Sequence, residues 1–293
     1  MHGILVVDKP TGVSSAQAVE RVKRALRVRR AGHGGTLDPL ATGVLPVCLG
    51  AATKLAQYLL ADDKAYVADG LLGVETDTLD RTGRVLAERP VSITRDQLLA
   101  AIARRTGEQD QIPPMYSAIK QGGVRLYERA RAGEEVERAP RRIRIDRLEL
   151  VAFDPPRFTV EIACSKGTYV RSLVADLGTD LGCGAHLTEL RRTRSGRFSI
   201  EQAVPLDRVG QAGVDLREHL IPMSAATELP SVTVPAELEG RIRTGVQLPV
   251  EALTSEDLEQ FQLLDSGGRL LAIVRAQGGR IAYDRVFHDA DGA

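Results

Sequence analysis

The sequence predicts an α+β fold: a mixed, mainly antiparallel sheet with helices packed on it, followed by a small β-rich domain at the C-terminal end. Three observations carry that expectation. Strand-like and helix-like segments follow one another irregularly, without the repeated βαβ units that build a parallel sheet. Residues 143–150 and 158–164 alternate apolar and polar side chains with period two on either side of Pro155-Pro156, as a half-buried antiparallel pair does. Beyond residues 205–222 the texture changes to short, glycine-punctuated strands at 261–264, 270–274 and 281–286. A chain of 293 residues is long enough for one large and one small domain. The expected boundary lies at Leu229-Pro230, giving a main domain over 1–228 and a small one over 229–293.

In chain order, residues 3–7 read as a short buried strand that ends in the turn Asp8-Lys9-Pro10-Thr11-Gly12. Ser14 and Gln17 have capping-box spacing and open a helix with Val19, Val22 and Leu26 on one face. A glycine-rich loop over 32–43 leads into the apolar strand 44–49, and 53–60 reads as a short helix. Residues 64–73 read as a strand, 76–83 as a polar turn and 84–87 as a returning strand. Thr94 and Gln97 repeat the capping-box spacing before a helix through Leu98, Ala101, Ile102 and Arg105. Residues 107–125, which carry Gln, Gly and Pro together with Ser117, read as an extended loop, and 126–132 as a short helix. After Gly167-Thr168, the residues Val170, Leu173, Val174, Leu177 and Leu181 recur at helical spacing. A strand and basic turn follow over 186–197, then a helix over 206–220.

Composition excludes several classes. With 43% hydrophobic and 27% charged residues the chain is ordinary for a globular protein. No apolar run is long enough to span a bilayer, and the N-terminus lacks the pattern of a secretory signal, so the expectation is a cytoplasmic protein with no membrane partner. Cys48, Cys164 and Cys183 are odd in number and form no CxxC pair, and they read as small core residues. No metal-ligand cluster and no GxxxxGK[ST] loop stands out. Net charge is zero but unevenly spread. From Ile200 onward there are eight Arg and no Lys against fifteen Asp and Glu. The remainder is correspondingly basic, with clusters at 27–30, 138–147 and 191–197. Each cluster alone reads as a solvated face; three in one domain point to a polyanion, of which nucleic acid is the usual one.

The most informative stretch is Gly32-His33-Gly34-Gly35-Thr36-Leu37-Asp38-Pro39-Leu40-Ala41-Thr42-Gly43. Glycine supplies backbone conformations that other residues avoid, and Pro39 restricts Asp38 to extended or turn geometry. Alone, Asp38-Pro39 reads as an Asx turn. In context the loop resembles the signature of the TruB family of pseudouridine synthases, which modify position 55 of tRNA. Five more segments match in order: Lys9-Pro10-Thr11-Gly12-Val13-Ser14-Ser15; Lys64-Ala65-Tyr66 running to Asp80; Pro113 to Lys120 with Gly123 to Tyr127; Gly167-Thr168-Tyr169-Val170-Arg171-Ser172-Leu173; and His186 to Thr193. Gly34 stands where many relatives carry a larger residue, which is expected to loosen the loop slightly. The C-terminal segment resembles, more loosely, a small RNA-binding domain of the PUA type.

The resemblance implies an isomerase that needs no cofactor and no metal. Uracil leaves the ribose at N1, turns, and rejoins through C5, so nothing is oxidised or reduced. By resemblance the essential carboxylate is Asp38, acting either on the sugar C1′ or on the 2′ proton, and Arg171 is the cation that keeps it ionised. The target uridine must leave its stack, at a cost on the order of a few kcal/mol. By resemblance Tyr66 stacks on the extruded base, which recovers about 1–3 kcal/mol, and its hydroxyl assists proton removal from C5. Tyr169 is a second ring candidate and Leu190 an apolar wall. His33 reads as a general base on its own, but the resemblance makes it an RNA contact that fills the gap left by the flipped base. Lys9 is expected at the pocket floor, as a structural or RNA-facing cation. Arg141, Arg142, Arg144, Arg191 and Arg192 are phosphate-contact candidates. The expected partner is the T-arm of tRNA, bound by a monomer with no obligatory protein partner. Two alternatives stand beside this reading: a tRNA-binding chaperone that refolds tRNA independently of catalysis, and a guide-RNA-dependent relative. A pure binder has no use for Asp38, Tyr66 and Arg171 together, and the chain's own insertion at 107–132 could grip RNA without helpers.

Overall fold

Apolar runs and capping residues set the elements. The structure is a computed structural model and describes residues 1–117, 120–126, 129, 134 and 136–288. Strand β1 (Gly3–Lys9) is buried at every position but one. Helix α1 (Ser15–Ala25) is capped as expected: Gln17 N–H donates to Ser14 Oγ at 3.2 Å, and Ser14 N–H to Gln17 Oε1 at 2.8 Å. There follow β2 (Ala31–His33), β3 (Thr42–Leu49), a 3-10 turn (Gly50–Leu55), α2 (Ala56–Ala61), β4 (Lys64–Leu72), β5 (Val74–Thr76) and β6 (Val85–Glu88). Helix α3 (Arg95–Arg104) carries the second capping box, Thr94 with Gln97. Next come β7 (Gly107–Gln111), β8 (Lys120–Gln121), β9 (Val124–Arg125), β10 (Arg141–Asp154), β11 (Arg157–Cys164), α4 (Val170–Asp180) and β12 (Ala185–Ser195). The remaining elements are β13 (Phe198–Ser199), β14 (Val204–Pro205), β15 (Leu220–Ile221), β16 (Ser231–Thr233), α5 (Ala236–Arg243), β17 (Gln260–Leu264), β18 (Leu270–Gln277) and β19 (Arg280–Val286).

The chain forms two compact units, one of residues 1–39, 43–61 and 196–293, the other of residues 40–42 and 62–195. In the first, β1 pairs antiparallel with β3 over its whole length, from Gly3↔Leu49 to Lys9↔Gly43, while β14 joins β1 in parallel and β2 and β15 add antiparallel edges. Residues 231–286 carry their own sheet, ordered β16-β17-β18-β19 and parallel only at β16–β17. Ile242, Leu248, Phe261, Leu263, Leu271 and Val274 form its core. Leu270, Ile273 and Phe287 join a second cluster with Ile4, Val6, Leu55 and Phe198. In the other unit β12-β4-β11-β10-β7 run antiparallel throughout. The architecture is therefore α+β with mixed, mainly antiparallel sheet, as expected.

Three local expectations change. Gly107–Gln111, expected inside a loop, is a strand paired with β10 from Arg141↔Gln111 to Ile145↔Gly107. Its polar sequence hid it, because an edge strand can be specified by ladder hydrogen bonds with little apolar alternation. The helix expected over 206–220 is absent. Leu206–Arg208 is one 3-10 turn, and Gly210 and Gly213 take φ of 86° and 84°, which a right-handed helix cannot hold. Leu206, Val209 and Leu216 are buried all the same, so their spacing reflected packing, not helix. Helix α5 was not expected. The helix expected over 126–132 lies largely outside the described residues, as do Ala118, Ile119 and Tyr127 of the matching insertion segment.

Candidate active site

Asp38 sits on a loop whose backbone is fastened on both sides. Ser15, at the start of α1, holds Leu37 twice: its hydroxyl donates to the Leu37 carbonyl at 2.9 Å and accepts the Leu37 N–H at 2.8 Å. On the other side the Pro39 carbonyl accepts the Gly12 N–H at 2.8 Å and the Lys9 ammonium at 3.5 Å. Both residues next to Asp38 are thus tied to the β1–α1 connection, while Asp38 itself is half-buried. Gly34 fills a tight place. Its N–H donates to Pro46 O at 2.9 Å, and a Cβ there would stand 2.8 Å from the Leu59 side chain. In this chain a larger residue at Gly34 would need Leu59 to move, so the loop is close-packed at the point where loosening was expected. His33 ends β2 opposite Val47 and is half-buried.

Lys9 is placed differently from one of its expected roles. It has no exposed surface, and its Nζ also donates to Pro10 O at 2.9 Å and Val13 O at 2.7 Å. An ammonium held by carbonyls inside the protein is a loop clamp, and burial removes it from RNA contact.

The second unit positions the other residues. Tyr66 is half-buried on β4, with Arg192 of β12 and Ile162 of β11 as cross-strand neighbours. Leu190 is 8% exposed and lies opposite Ala68. Helix α4 starts without a side-chain cap from Tyr169. Instead Gln111 reaches across from β7, its Oε1 accepting the Tyr169 N–H at 2.8 Å and its Nε2 donating to the Tyr169 carbonyl at 3.1 Å. That pair fixes both the half-buried Tyr169 and the first turn that carries Arg171.

Arg171 is 5% exposed. Its guanidinium donates to Thr78 O at 3.0 Å and Tyr116 O at 2.8 Å, and lies 3.7 Å from the Asp80 carboxylate. Asp80 is itself buried, and its Oδ1 accepts Thr78 Oγ1 at 2.8 Å, Thr82 N–H at 2.9 Å and Thr82 Oγ1 at 2.6 Å. Asp80 closes the motif that begins at Lys64, yet nothing local in the sequence gives it a role. Its polar turn, Thr76-Asp77-Thr78-Leu79-Asp80, was the only signal. Ser15 and Gln111 were also missed, because their partners lie 22 and 58 residues away.

The basic clusters divide by burial. Arg192 is 1% exposed, which removes it from the phosphate-contact set: a charge inside the sheet reaches no RNA backbone. Arg191 is half-buried and its Nη1 donates to Thr42 Oγ1 at 3.5 Å. On β10, Arg141 is exposed, whereas Arg142 pairs with Glu108 at 2.8 Å and Asp110 at 3.8 Å, and Arg144 with Asp146 at 2.6 Å and Asp63 at 3.2 Å. Among the described residues no group of three or more His, Cys, Asp and Glu side chains could hold a metal ion, and no helix is long and apolar enough to cross a membrane.

Comparison with known proteins bears on this geometry. Residues 23–170 match the model described as TruB family pseudouridylate synthase (N terminal domain), and residues 171–228 match that of the tRNA pseudouridylate synthase B C-terminal domain. The chain is 47% identical to tRNA pseudouridine synthase B of Ralstonia nicotianae over 298 residues, 98% of this chain and 95% of that one. It is 55% identical to tRNA pseudouridine synthase B of Pseudomonas aeruginosa over 207 residues, 71% of this chain and 68% of that one. Among solved structures it is similar to a Cbf5-Nop10-Gar1 complex, with a TM-score of 0.77 and 28% identity over 98% of this chain and 85% of that one. A structure of an H/ACA RNP bound to a substrate RNA gives a TM-score of 0.75 and 26% identity, over 98% and 85% of the two chains.

Proposed function

Because the chain belongs to the TruB family of pseudouridylate synthases, we propose that it isomerises uridine 55 in the T-arm of tRNA to pseudouridine, as a cytoplasmic monomer that needs no cofactor. Pseudouridylation of tRNA is the activity for which its relatives are named, and that favours catalysis over the chaperone reading. The T-arm, the monomeric state and the individual residue roles are this reading's own. The N1–C1′ bond breaks, the uracil turns, a C5–C1′ bond forms, the C5 proton leaves and N1 takes up a proton from solvent, so that the product is an isomer of the substrate.

Asp38 acts on the ribose, as nucleophile at C1′ or as base toward the 2′ proton. Arg171 supplies the positive charge that an ionised carboxylate requires. Tyr66 stacks on the extruded uracil and takes the C5 proton, Leu190 and Tyr169 wall the base, and His33 occupies the space the uridine leaves in the RNA. Arg141 and Arg191 meet phosphates. Arg142 does so only by giving up its acidic partners. Residues 1–228 are the catalytic domain, with the insertion at 107–132 gripping RNA, and 229–293 a PUA-like RNA-binding domain.

The observation that carries this reading is the double fastening of Leu37 and Pro39 around Asp38. Catalysis depends on holding a reacting group in place before the substrate arrives, and a solvated Asx turn has no need of such a clamp. The test is to incubate the protein with unmodified tRNA, without metal or nucleotide, and to map pseudouridine by chemical labelling. Pseudouridine at the T-arm uridine supports the reading. Its appearance only elsewhere in tRNA overturns the T-arm assignment, and no pseudouridine at all overturns the activity.

A further inference from the structure

The face of the sheet that carries Tyr66 also carries two buried cations. On an antiparallel sheet, alternate residues of one strand and their cross-strand partners share a face. Lys64 and Tyr66 alternate along β4, and across from them stand Ser195 and Arg192 on β12 and Cys164 and Ile162 on β11. Lys64 is 7% exposed and Arg192 1%. Surface cations are cheap to keep; two inside one sheet face are costly and call for a purpose.

Groups from the turn before β4, from β11 and from β12 face Lys64. From its own strand and the turn before it come the Asp62 carbonyl, which accepts from its Nζ, and the Asp62 and Asp63 carboxylates, the latter also engaged by Arg144. From β11 comes the Cys164 thiol, and from β12 Arg192 and the Ser195 hydroxyl. Burial first, and then the Arg192 charge, push the Lys64 ammonium down to about 8, and the acidic neighbours offset only part of that. Burial likewise raises the Cys164 thiol to about 11, so it stays neutral beside Lys64.

We propose that Lys64 and Arg192 are positioning residues for Tyr66, a buried cation pair whose field favours the phenolate that Tyr66 must present to accept the C5 proton. The inference rests on the role given to Tyr66 above. In that step the C5–H bond breaks and its electron pair restores the ring double bond. The proton passes to the Tyr66 oxygen, turning phenolate into phenol, and water takes it before the next turnover. The sign follows from Coulomb's law: a cation near the phenolate lowers the pH at which Tyr66 can act, and loss of the Lys64 proton withdraws the lysine's share of that support. The reaction therefore loses phenolate stabilisation as the pH rises through about 8, where Lys64 titrates.

The test is the single-turnover rate of pseudouridine formation from pH 6.5 to 9.5 for wild type, Lys64→Arg, Lys64→Met and Tyr66→Phe, with tRNA affinity measured in parallel. Arginine does not lose its charge, so the ratio of the Lys64→Arg rate to wild type rises about tenfold between pH 7 and 9.5, the effect of roughly one pK unit. Taking a ratio cancels any titration of the RNA itself. Lys64→Met moves the rising limb of the profile to higher pH with tRNA affinity unchanged. A pH-independent ratio overturns the proposal, and it does so even if Lys64→Met fails to fold. If Tyr66→Phe turns over at the wild-type rate, the role of Tyr66 falls and the inference with it. If Tyr66→Phe is slow while the ratio stays flat, the inference alone falls.

Discussion

Arg171 and Arg142 are the same residue type in the same unit, and their surroundings are opposite. Arg171 is sunk between two carbonyls and a carboxylate, with 5% of its side chain exposed and 7% of that of Asp80. Arg142 lies on β10, next to the edge strand β7, with 61% of its side chain exposed, and its partner Glu108 is 64% exposed. The first pair cannot exchange partners without leaving a buried charge alone; the second exchanges them freely with water and salt. Arginine-rich sequence therefore does not by itself mark an RNA surface. On β10 much of the positive charge already has acidic neighbours at 2.6–2.9 Å, including Arg147 with Glu149 and Glu161, whereas the buried arginines serve the interior.

Substitutions at the two arginines and at the Asp38 loop test this contrast. Arg171→Met strands the buried Asp80 carboxylate and is expected to cost about 3–5 kcal/mol in denaturant unfolding, together with most of the turnover. Retention of wild-type stability would mean that the buried pair is not one. Ser15→Ala leaves the Leu37 N–H and carbonyl without their partner hydroxyl, an expected loss of about 1–3 kcal/mol. Its turnover should fall more than its tRNA affinity, because the loop around Asp38 loosens. Arg142→Ala is expected to leave the melting temperature unchanged. In tRNA binding it should alter the log–log salt slope by less than about 0.9, the value of one released counterion. A full unit of change would place Arg142 on a phosphate in the complex, with Glu108 displaced.

How much of this was legible in the sequence depends on how far the partners lie along the chain. The capping boxes at Ser14 and Thr94, the alternation of β10 and β11 and the apolar run of β3 are local signals, and all were read correctly. Polar strand β7 carried no such signal, and the spacing of Leu206, Val209 and Leu216 imitated a helix that Gly210 and Gly213 interrupt. At the site, the motifs pointed to the strand of Tyr66 and the helix of Arg171. They did not reveal what holds these residues. Gln111 pairs with Tyr169, Asp80 lies beside Arg171, and Ser15 binds Leu37 through contacts that exist only once the chain has folded. Lys9 shows the same limit. The sequence leaves Lys9 as either a structural or an RNA-facing cation, since lysine is rarely fully buried, and only the fold, with three carbonyls around its ammonium, favours the structural role.

The central claim is that Asp38, on its fastened loop, performs the chemistry, while binding of tRNA rests on other residues. The most direct measurement compares wild type and Asp38→Asn on unmodified tRNA, reading affinity and single-turnover pseudouridine formation in the same samples. The expected result is unchanged affinity with turnover reduced by at least the roughly 10²–10⁴-fold that a positioned acid or base contributes. Turnover near the wild-type rate would contradict the claim and assign the reaction to a different carboxylate.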